Sequence, residues 1–365
     1  MASPSVFTRE KLIEIGGTLP PTPRIFSDLH ALLKDTNTDL DLITELIKRD
    51  ASLSAQILRV SNSVAFRSEL RSGSIEEAVG RVGFDEVFRL VGVVAVQSLA
   101  DRALVHYDVS AERLRELMVE TAFVCEALAP ECGLDPRTAY TAGLMRPIGI
   151  LVLDRVAQLL RVPEFYDYET DRSYVSWEGR HFGLDSCEVA GLILSEWSFP
   201  GDIISAIRNQ HLTHESAVAD RLACLVNLAS GAVALRGKVL EGERIHWEIT
   251  AAKLSCLGLD EARFTEVSDR ALEAYEVYHT ASPKEAKPLP RTATKALVEE
   301  TVPVRPKGSS RAPFVAPEPA PRPKPRRKRH GWTLPDVLGV ALTMLIGHFR
   351  ECGRTGDFET AYQVI

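Results

Sequence analysis

The fold is decided by one stretch, residues 84–104, which reads FDEVFRLVGVVAVQSLADRAL. Its many valines favour a β-strand if residue types alone are counted. The stretch is longer than an ordinary strand, however, and its apolar residues recur at intervals of three and four. We therefore predict a buried helix here. Because no convincing strand alternation occurs before Pro283, the predicted class is all-α.

The same helical spacing continues on both sides of this stretch. Amphipathic helices are predicted from Ile25, Asp39, Ala51 and Ser74 onward, and again from Ala111. A long apolar segment, residues 139–160, is expected to break near its proline at position 147. Together these segments predict two packed helical halves that meet near residues 105–112.

Charge and cysteine usage restrict the function. The net charge of the 365 residues is −7, but residues 283–330 carry +9 and residues 1–282 carry −14. An acidic body with a basic arm argues against a globular nucleic-acid-binding domain. The six cysteines are scattered without a C-x-x-C pair, which argues against a zinc ribbon or a redox dithiol. This usage, with no secretory signal or membrane-spanning segment in the sequence, predicts a cytoplasmic protein.

Composition divides the chain into four predicted regions. Residues 1–18 form an N-terminal extension, and residues 19–282 form the helical domain. Residues 283–330 hold 11 of the 21 prolines and are predicted to be a disordered linker rich in Pro, Arg and Lys. Residues 331–365 are predicted to form a short C-terminal helical segment, which would dock on protein or lie on a membrane. The candidate residues for contact with an anion or a partner are Arg326, Arg327, Lys328 and Arg329.

Five short motifs in the first 150 residues resemble the HDOD domain, the HD-related output domain of bacterial signalling proteins. They are residues 19–23 (LPPTP), 47–50 (IKRD), 57–63 (ILRVSNS), 74–83 (SIEEAVGRVG) and 142–149 (AGLMRPIG). Their candidate recognition positions are Pro20, Pro21, Asp50, Asn62, Ser63 and Gly83, although a structural role at the helix end is favoured for the Asn-Ser pair. The resemblance implies a helical signalling domain that acts on signalling proteins and needs no cofactor.

The same resemblance indicates a degenerate metal site. HD phosphohydrolases, to which the HDOD family is related, hold divalent metal with a His, a His-Asp pair and a later Asp. The resemblance places Arg146 and Pro147 at the His-Asp pair, Glu120 at the first His and Ser230 at the last Asp. Arginine stays protonated and offers no lone pair, and proline has no side-chain donor atom. We therefore predict a noncatalytic protein without a metal site.

The sequence leaves three alternatives open. The chain is either this noncatalytic protein, a residual metal-dependent phosphohydrolase or phosphodiesterase, or a receptor for a nucleotide second messenger of the cyclic di-GMP type. A separate metal site is conceivable at His211, His214 and Glu215, but a polar loop or helix end is the favoured interpretation. Cys125 is predicted to be a small core residue rather than a nucleophile. The oligomeric state does not follow from the sequence.

Overall fold

A computed structural model of the chain describes residues 8–17, 19, 22–35, 38–62, 72–213, 219–237 and 240–281. These residues form fifteen α-helices, which confirms the all-α class. The first nine are α1 (Arg9–Gly16), α2 (Thr22–Lys34), α3 (Leu40–Lys48), α4 (Ala51–Ser61), α5 (Ile75–Val82), α6 (Phe84–Leu99), α7 (Ala111–Leu128), α8 (Pro136–Met145) and α9 (Ile148–Leu159). The other six are α10 (Tyr174–His181), α11 (Ser186–Glu196), α12 (Gly201–Arg208), α13 (Arg221–Leu235), α14 (Ala251–Leu257) and α15 (Glu261–Ala281).

Short polar residues start several of these helices. The Ser74 hydroxyl accepts a hydrogen bond from the Glu77 N–H at 3.2 Å, which caps α5 as its position in the sequence predicts. The Glu77 carboxylate in turn accepts from the Gly73 N–H at 2.7 Å. At α11, Asp185 and Glu188 form a complete capping box. These bonds satisfy N–H groups that the first turn of a helix cannot pair internally.

The helices pack as two halves, as predicted. In the first half α2 lies against α6 and α3, and α5 lies against α3 and α4. In the second half the central α7 contacts α8, α13 and α15. The halves meet where α6 contacts α7 and α8, and Arg89 of α6 donates there to the Glu126 carboxylate of α7 at 3.0 and 3.1 Å.

The valine-rich stretch is a buried helix, but that helix ends earlier than residue 104. Helix α6 stops at Leu99, and the Leu104 N–H then donates to the Val109 carbonyl at 2.8 Å. The Val109 N–H donates back to Leu104 at 3.1 Å, which forms an isolated antiparallel bridge. This bridge closes the connection between the halves around a short 3₁₀ helix, Val105–Tyr107.

Helix α1 lies within the residues that were predicted to form an N-terminal extension. Its Leu12 and Ile15 are buried, and the helix packs against α9 and α11. A Cβ atom on Gly16 would come within 2.5 Å of the Ile193 side chain, so the two helices approach closely at this glycine. Burial of these apolar side chains therefore ties α1 to the second half of the body.

Two of the predicted regions fall outside the described residues. They are the linker, 283–330, and the C-terminal helical segment, 331–365, which include the basic positions Arg326, Arg327, Lys328 and Arg329. Among the helices described up to residue 281, none is both long and apolar enough to cross a bilayer.

A buried carboxylate, Glu178 on α10, links the connection between the halves to α11. It accepts hydrogen bonds from the Tyr107 hydroxyl at 2.8 Å and from the Ser186 N–H at 2.7 Å. The Tyr107 ring packs edge-on against Tyr174 and Trp177, which encloses the carboxylate. Burial raises the pKa of Glu178 to about 7, although both hydrogen bonds act in the opposite direction.

This raised pKa predicts how the stability of the protein depends on pH. The pKa of Glu178 is higher in the folded than in the unfolded chain, so the protonated carboxyl stabilises the fold. This stabilisation is complete below about pH 4.5 and is lost as the pH rises through about 7. We expect Glu178 to make unfolding easier at high pH by about 3 kcal/mol. Glu178→Gln should remove this dependence, as measured by urea unfolding across that pH range. The exposed control Glu196→Gln should keep the wild-type slope, and an unchanged slope in Glu178→Gln would contradict the assignment.

Candidate functional site

Arg146 lies at the junction of α8 and α9, followed by Pro147. Proline has no N–H to donate and its ring clashes with the preceding turn, so the helix breaks here, as predicted. Arg146 remains helical (φ −45°, ψ −51°), whereas Pro147 does not (φ −91°, ψ 15°). The arginine side chain lies in the core, and the residue is only 2 % exposed. A buried guanidinium needs a partner charge to offset its lost hydration.

Glu243 supplies that charge from 97 residues further along the chain, within the 3₁₀ helix Glu241–His246. The Arg146 Nη1 atom donates to its Oε2 atom at 2.7 Å, and both side chains are almost fully buried. The guanidinium also lies over the Trp247 ring, 5.0 Å from its centroid. Burial alone would raise the pKa of Glu243, but the Arg146 charge and then His211 hold it down at about 2. The pair is therefore ionised at neutral pH.

Two histidines and a cysteine surround this ion pair. His211 Nε2 lies 3.9 Å from Glu243 Oε1, and its Nδ1 lies 3.3 Å from the Cys187 sulfur. The His211 and His246 rings stack with centroids 4.2 Å apart and planes inclined by 15°. Burial and then the adjacent His211 lower the pKa of His246 to about 4. His246 is consequently neutral near pH 7.

Side-chain amides connect the ion pair to the backbone of other segments. The Gln210 amide donates to the Arg146 carbonyl at 3.2 Å. Asn227 of α13 donates to the Gln210 carbonyl at 2.7 Å and to the His246 carbonyl at 3.0 Å. We refer to these eight residues as the Arg146 cluster: Arg146, Cys187, Gln210, His211, Asn227, Glu243, His246 and Trp247.

The other positions that the resemblance to HD phosphohydrolases assigns to a metal site are also buried. Pro147 is buried beside Arg146, Glu120 is buried on α7, and Ser230 is buried on α13. The Ser230 hydroxyl donates to the Val226 carbonyl of its own helix at 2.8 Å. It is Asn227, one turn earlier, that reaches the Arg146 cluster.

The chemistry of the cluster does not suit a divalent cation. Its carboxylate, Glu243, already accepts a charged hydrogen bond from Arg146, whose positive charge would repel a metal ion. The stacked rings of His211 and His246 direct their lone pairs within nearly parallel planes rather than toward one point. In the described part of the chain, no group of three or more His, Cys, Asp or Glu side chains is arranged to hold a metal ion.

The described family-motif positions make local structural contacts. Asp50 caps α4 by accepting from the Ser52 and Leu53 N–H groups at 2.8 and 3.0 Å. Asn62 exchanges hydrogen bonds with the Ser72 backbone at 2.8 and 3.1 Å, across the segment that separates α4 from α5. Gly83 joins α5 to α6 with φ 85° and ψ 157°, a conformation that side chains rarely adopt. The predicted positions Pro20, Pro21 and Ser63 lie outside the described residues.

The sequence motifs identified Arg146 but not the residues that surround it. No motif contains Glu243, Gln210 or Cys187. The one signal for them is indirect: a buried arginine requires an opposite charge, so a carboxylate must lie near it. Cys125 is fully buried and burial raises its pKa above the ordinary range, as expected for a core residue. Of the alternative metal residues, His211 belongs to the cluster, whereas His214 and Glu215 lie outside the described residues.

The ion pair predicts a large loss of stability when one partner is removed. Glu243→Gln leaves the Arg146 guanidinium buried without its counter-charge, which should lower the free energy of unfolding by about 3–5 kcal/mol. The double variant Arg146→Met with Glu243→Leu should recover most of this loss, since neither charge is then buried. Urea unfolding at neutral pH measures both values.

A surface ion pair provides the matched control. Arg236 and Asp269 are 3.1 Å apart but half exposed, so Asp269→Asn should cost less than about 1 kcal/mol. Because the pKa of Glu243 is depressed, its contribution should be present above about pH 4.5 and lost as the pH falls toward 2. Equal effects of Glu243→Gln and Asp269→Asn would show that the buried pair has no special role.

Comparison with known proteins identifies relatives of the chain. It is 23% identical over 269 residues to an uncharacterized protein of Treponema pallidum (strain Nichols). The aligned region covers 72% of this chain and 51% of the relative. It is 30% identical over 118 residues to the uncharacterized protein YuxH of Bacillus subtilis (strain 168). This aligned region covers 32% of this chain and 28% of YuxH. The chain thus spans about half the length of the first relative and less than a third of the second.

A solved structure has the same fold. It is that of a proposed signal transduction protein of Marinobacter aquaeolei VT8, with a TM-score of 0.53 and 22% identity, covering 73% of this chain and 63% of that one. The sequence model of the HDOD domain matches residues 19–213, which is more than half of this chain. Because this match covers more than half of the chain, the chain belongs to the HDOD domain family.

Proposed function

We propose that this protein is a noncatalytic signal-transduction or regulatory protein that works in the cytoplasm through contacts with other proteins. The observation that supports this most strongly is the buried ion pair between Arg146 and Glu243. The resemblance to HD phosphohydrolases assigns Arg146 of this pair, with Pro147, to the place of their His-Asp pair. None of the five described cysteines is in a disulfide, as is usual in a reducing compartment.

The ion pair argues against hydrolysis on chemical grounds. A metal hydrolase requires a cation with an open coordination position, where a bound water loses a proton and attacks the substrate. The residue that the resemblance assigns to the metal site is Arg146, whose guanidinium has no lone pair, and the neighbouring carboxylate of Glu243 already binds its charge. The almost complete burial of both side chains also leaves no approach for a phosphoester.

Protein contacts require accessible apolar side chains, and the segments that contact His106 carry three of them. This histidine is buried. Its backbone N–H donates to the Asp154 carboxylate at 2.8 Å, and its ring Nε2 atom lies 3.1 Å from the Val162 carbonyl. The Phe165 ring stacks on the imidazole with centroids 4.9 Å apart and planes inclined by 8°. The Phe165 side chain is thus held in place although the residue is 56% exposed.

Two further apolar side chains are exposed on the same segments. Val105, next to His106, is 51% exposed, and Leu159, the last residue of α9, is 65% exposed. Leu159 follows Gln158, whose amide donates to the Asp154 carboxylate. Leu159 and Val105 thus each adjoin a residue that binds the buried Asp154. We call Val105, Leu159 and Phe165 the His106 platform. Exposed apolar residues on a rigid support are typical of a protein-binding surface.

The noncatalytic assignment predicts the result of a metal and activity test. We expect full-length protein purified without chelator to carry much less than one metal ion per chain by elemental analysis. Added manganese should produce no hydrolysis of a phosphodiester substrate, because Arg146 repels the cation. Stoichiometric metal together with turnover that a chelator abolishes would overturn the proposal in favour of a phosphohydrolase.

The proposed protein contacts predict that partner capture depends on the His106 platform. Tagged full-length protein, expressed in the cells that produce it naturally, should retain partners that Leu159→Ser and Phe165→Ser lose. Leu42→Ser provides the control, because Leu42 is also a half-exposed helical leucine but lies on α3. Mass spectrometry of the captured proteins identifies the partners.

Truncation separates the body from the tail in the same experiment. A chain ending near Ser282 should keep the partners of the body and lose those of the linker and the C-terminal segment. Those two segments, with the basic run Arg326 to Arg329, are proposed to contact a partner or the membrane surface. Capture that is insensitive to both platform variants would contradict a role for the His106 platform.

A further inference from the structure

Three cysteines that are far apart in the sequence lie together in the fold. Cys132 follows α7, Cys224 lies in the first turn of α13, and Cys256 lies in the last turn of α14. The guanidinium of Arg221 donates to the carbonyls of Cys132 at 2.6 Å and of Cys256 at 3.0 Å, which holds two of the three segments together. The wide spacing of these cysteines in the sequence does not predict that they lie close together.

Within this group, Cys224 and Cys256 form the closer pair. The Cys224 sulfur lies 3.4 Å from the Lys253 carbonyl, one turn before Cys256 on α14. Burial and then the neighbouring Cys256 thiol raise the pKa of Cys224 to about 12. Cys224 is fully buried, whereas Cys256 is partly exposed. A buried thiol beside an accessible one is the arrangement in which the accessible sulfur reacts first and its neighbour completes a bridge.

We propose that Cys224 and Cys256 form a reversible disulfide when the protein meets a peroxide. The Cys256 sulfur attacks one peroxide oxygen, the O–O bond breaks, and Cys256 sulfenic acid and one water are formed. The Cys224 sulfur then attacks the sulfenic sulfur, and the sulfenic oxygen leaves as a second water with the Cys224 proton. Overall, two thiols lose two electrons to one peroxide and give one disulfide and two waters.

The bridge would act on the segment that carries the counter-charge of Arg146. It joins α13 to α14, so the intervening residues, Glu243 and His246 among them, become part of a closed covalent loop. Asn227, which binds the His246 carbonyl, lies one turn after Cys224 on α13. Oxidation would therefore restrain α13, α14 and the residues between them, which contribute Asn227, Glu243 and His246 to the Arg146 cluster. Disulfides of this transient kind are the ones that occur in reducing compartments.

The test is disulfide mapping of the reduced full-length protein after treatment with hydrogen peroxide. Remaining thiols are blocked with N-ethylmaleimide, and the protein is digested and examined by mass spectrometry. We expect a peptide pair joined through Cys224 and Cys256 that disappears after dithiothreitol. Cys256→Ser should lose this species, whereas Cys132→Ser and Cys352→Ser should retain it.

Additional variants guard against misfolding as an explanation. Cys224→Ala should also lose the bridge, and helical circular dichroism should show that each variant is folded. A bridge from Cys256 to Cys132 or to Cys352 would overturn the assignment. Oxidation of Cys256 to the sulfinic acid without any bridge would overturn it as well, since the neighbouring thiol would then have failed to react.

Discussion

The ion pair between Arg146 and Glu243 is the constraint that organises the second half of the molecule. A guanidinium can be buried only if a carboxylate is brought to it, and this carboxylate comes from a short 3₁₀ helix 97 residues away. The contact fixes where residues 241–247 lie, because Trp247 covers the guanidinium and His246 stacks on His211.

Hydrogen bonds from side-chain amides extend this constraint to the surrounding helices. Gln210 binds the carbonyl of Arg146, and Asn227 binds both the carbonyl of Gln210 and that of His246. The junction of α8 and α9, the end of α12, the middle of α13 and the 3₁₀ helix are therefore held by one network. The polar groups at the centre of this half are thus bonded largely to one another.

The sequence predicts the parts of this structure that depend on local pattern. Periodicity is sufficient for the helices, proline chemistry for the break at Pro147, and short polar residues for the start of α5 at Ser74. The end of α6 at Leu99 was not predicted, because the pairing of Leu104 with Val109 is a tertiary effect. Glu243 was not predicted either, since no local pattern marks a carboxylate as the partner of a distant arginine. The closeness of Cys224 and Cys256 likewise depends on how α13 and α14 pack.

The distance in sequence between Arg146 and Glu243 also limits how this protein could evolve. A histidine at position 146 would leave the buried carboxylate of Glu243 without its arginine partner, and loss of Glu243 would leave the buried guanidinium of Arg146 without its counter-charge. Either first step passes through a destabilised chain, so two changes far apart in the gene must arrive together. Once such a buried pair has formed, selection for folding alone is enough to preserve both of its residues, whatever the protein does.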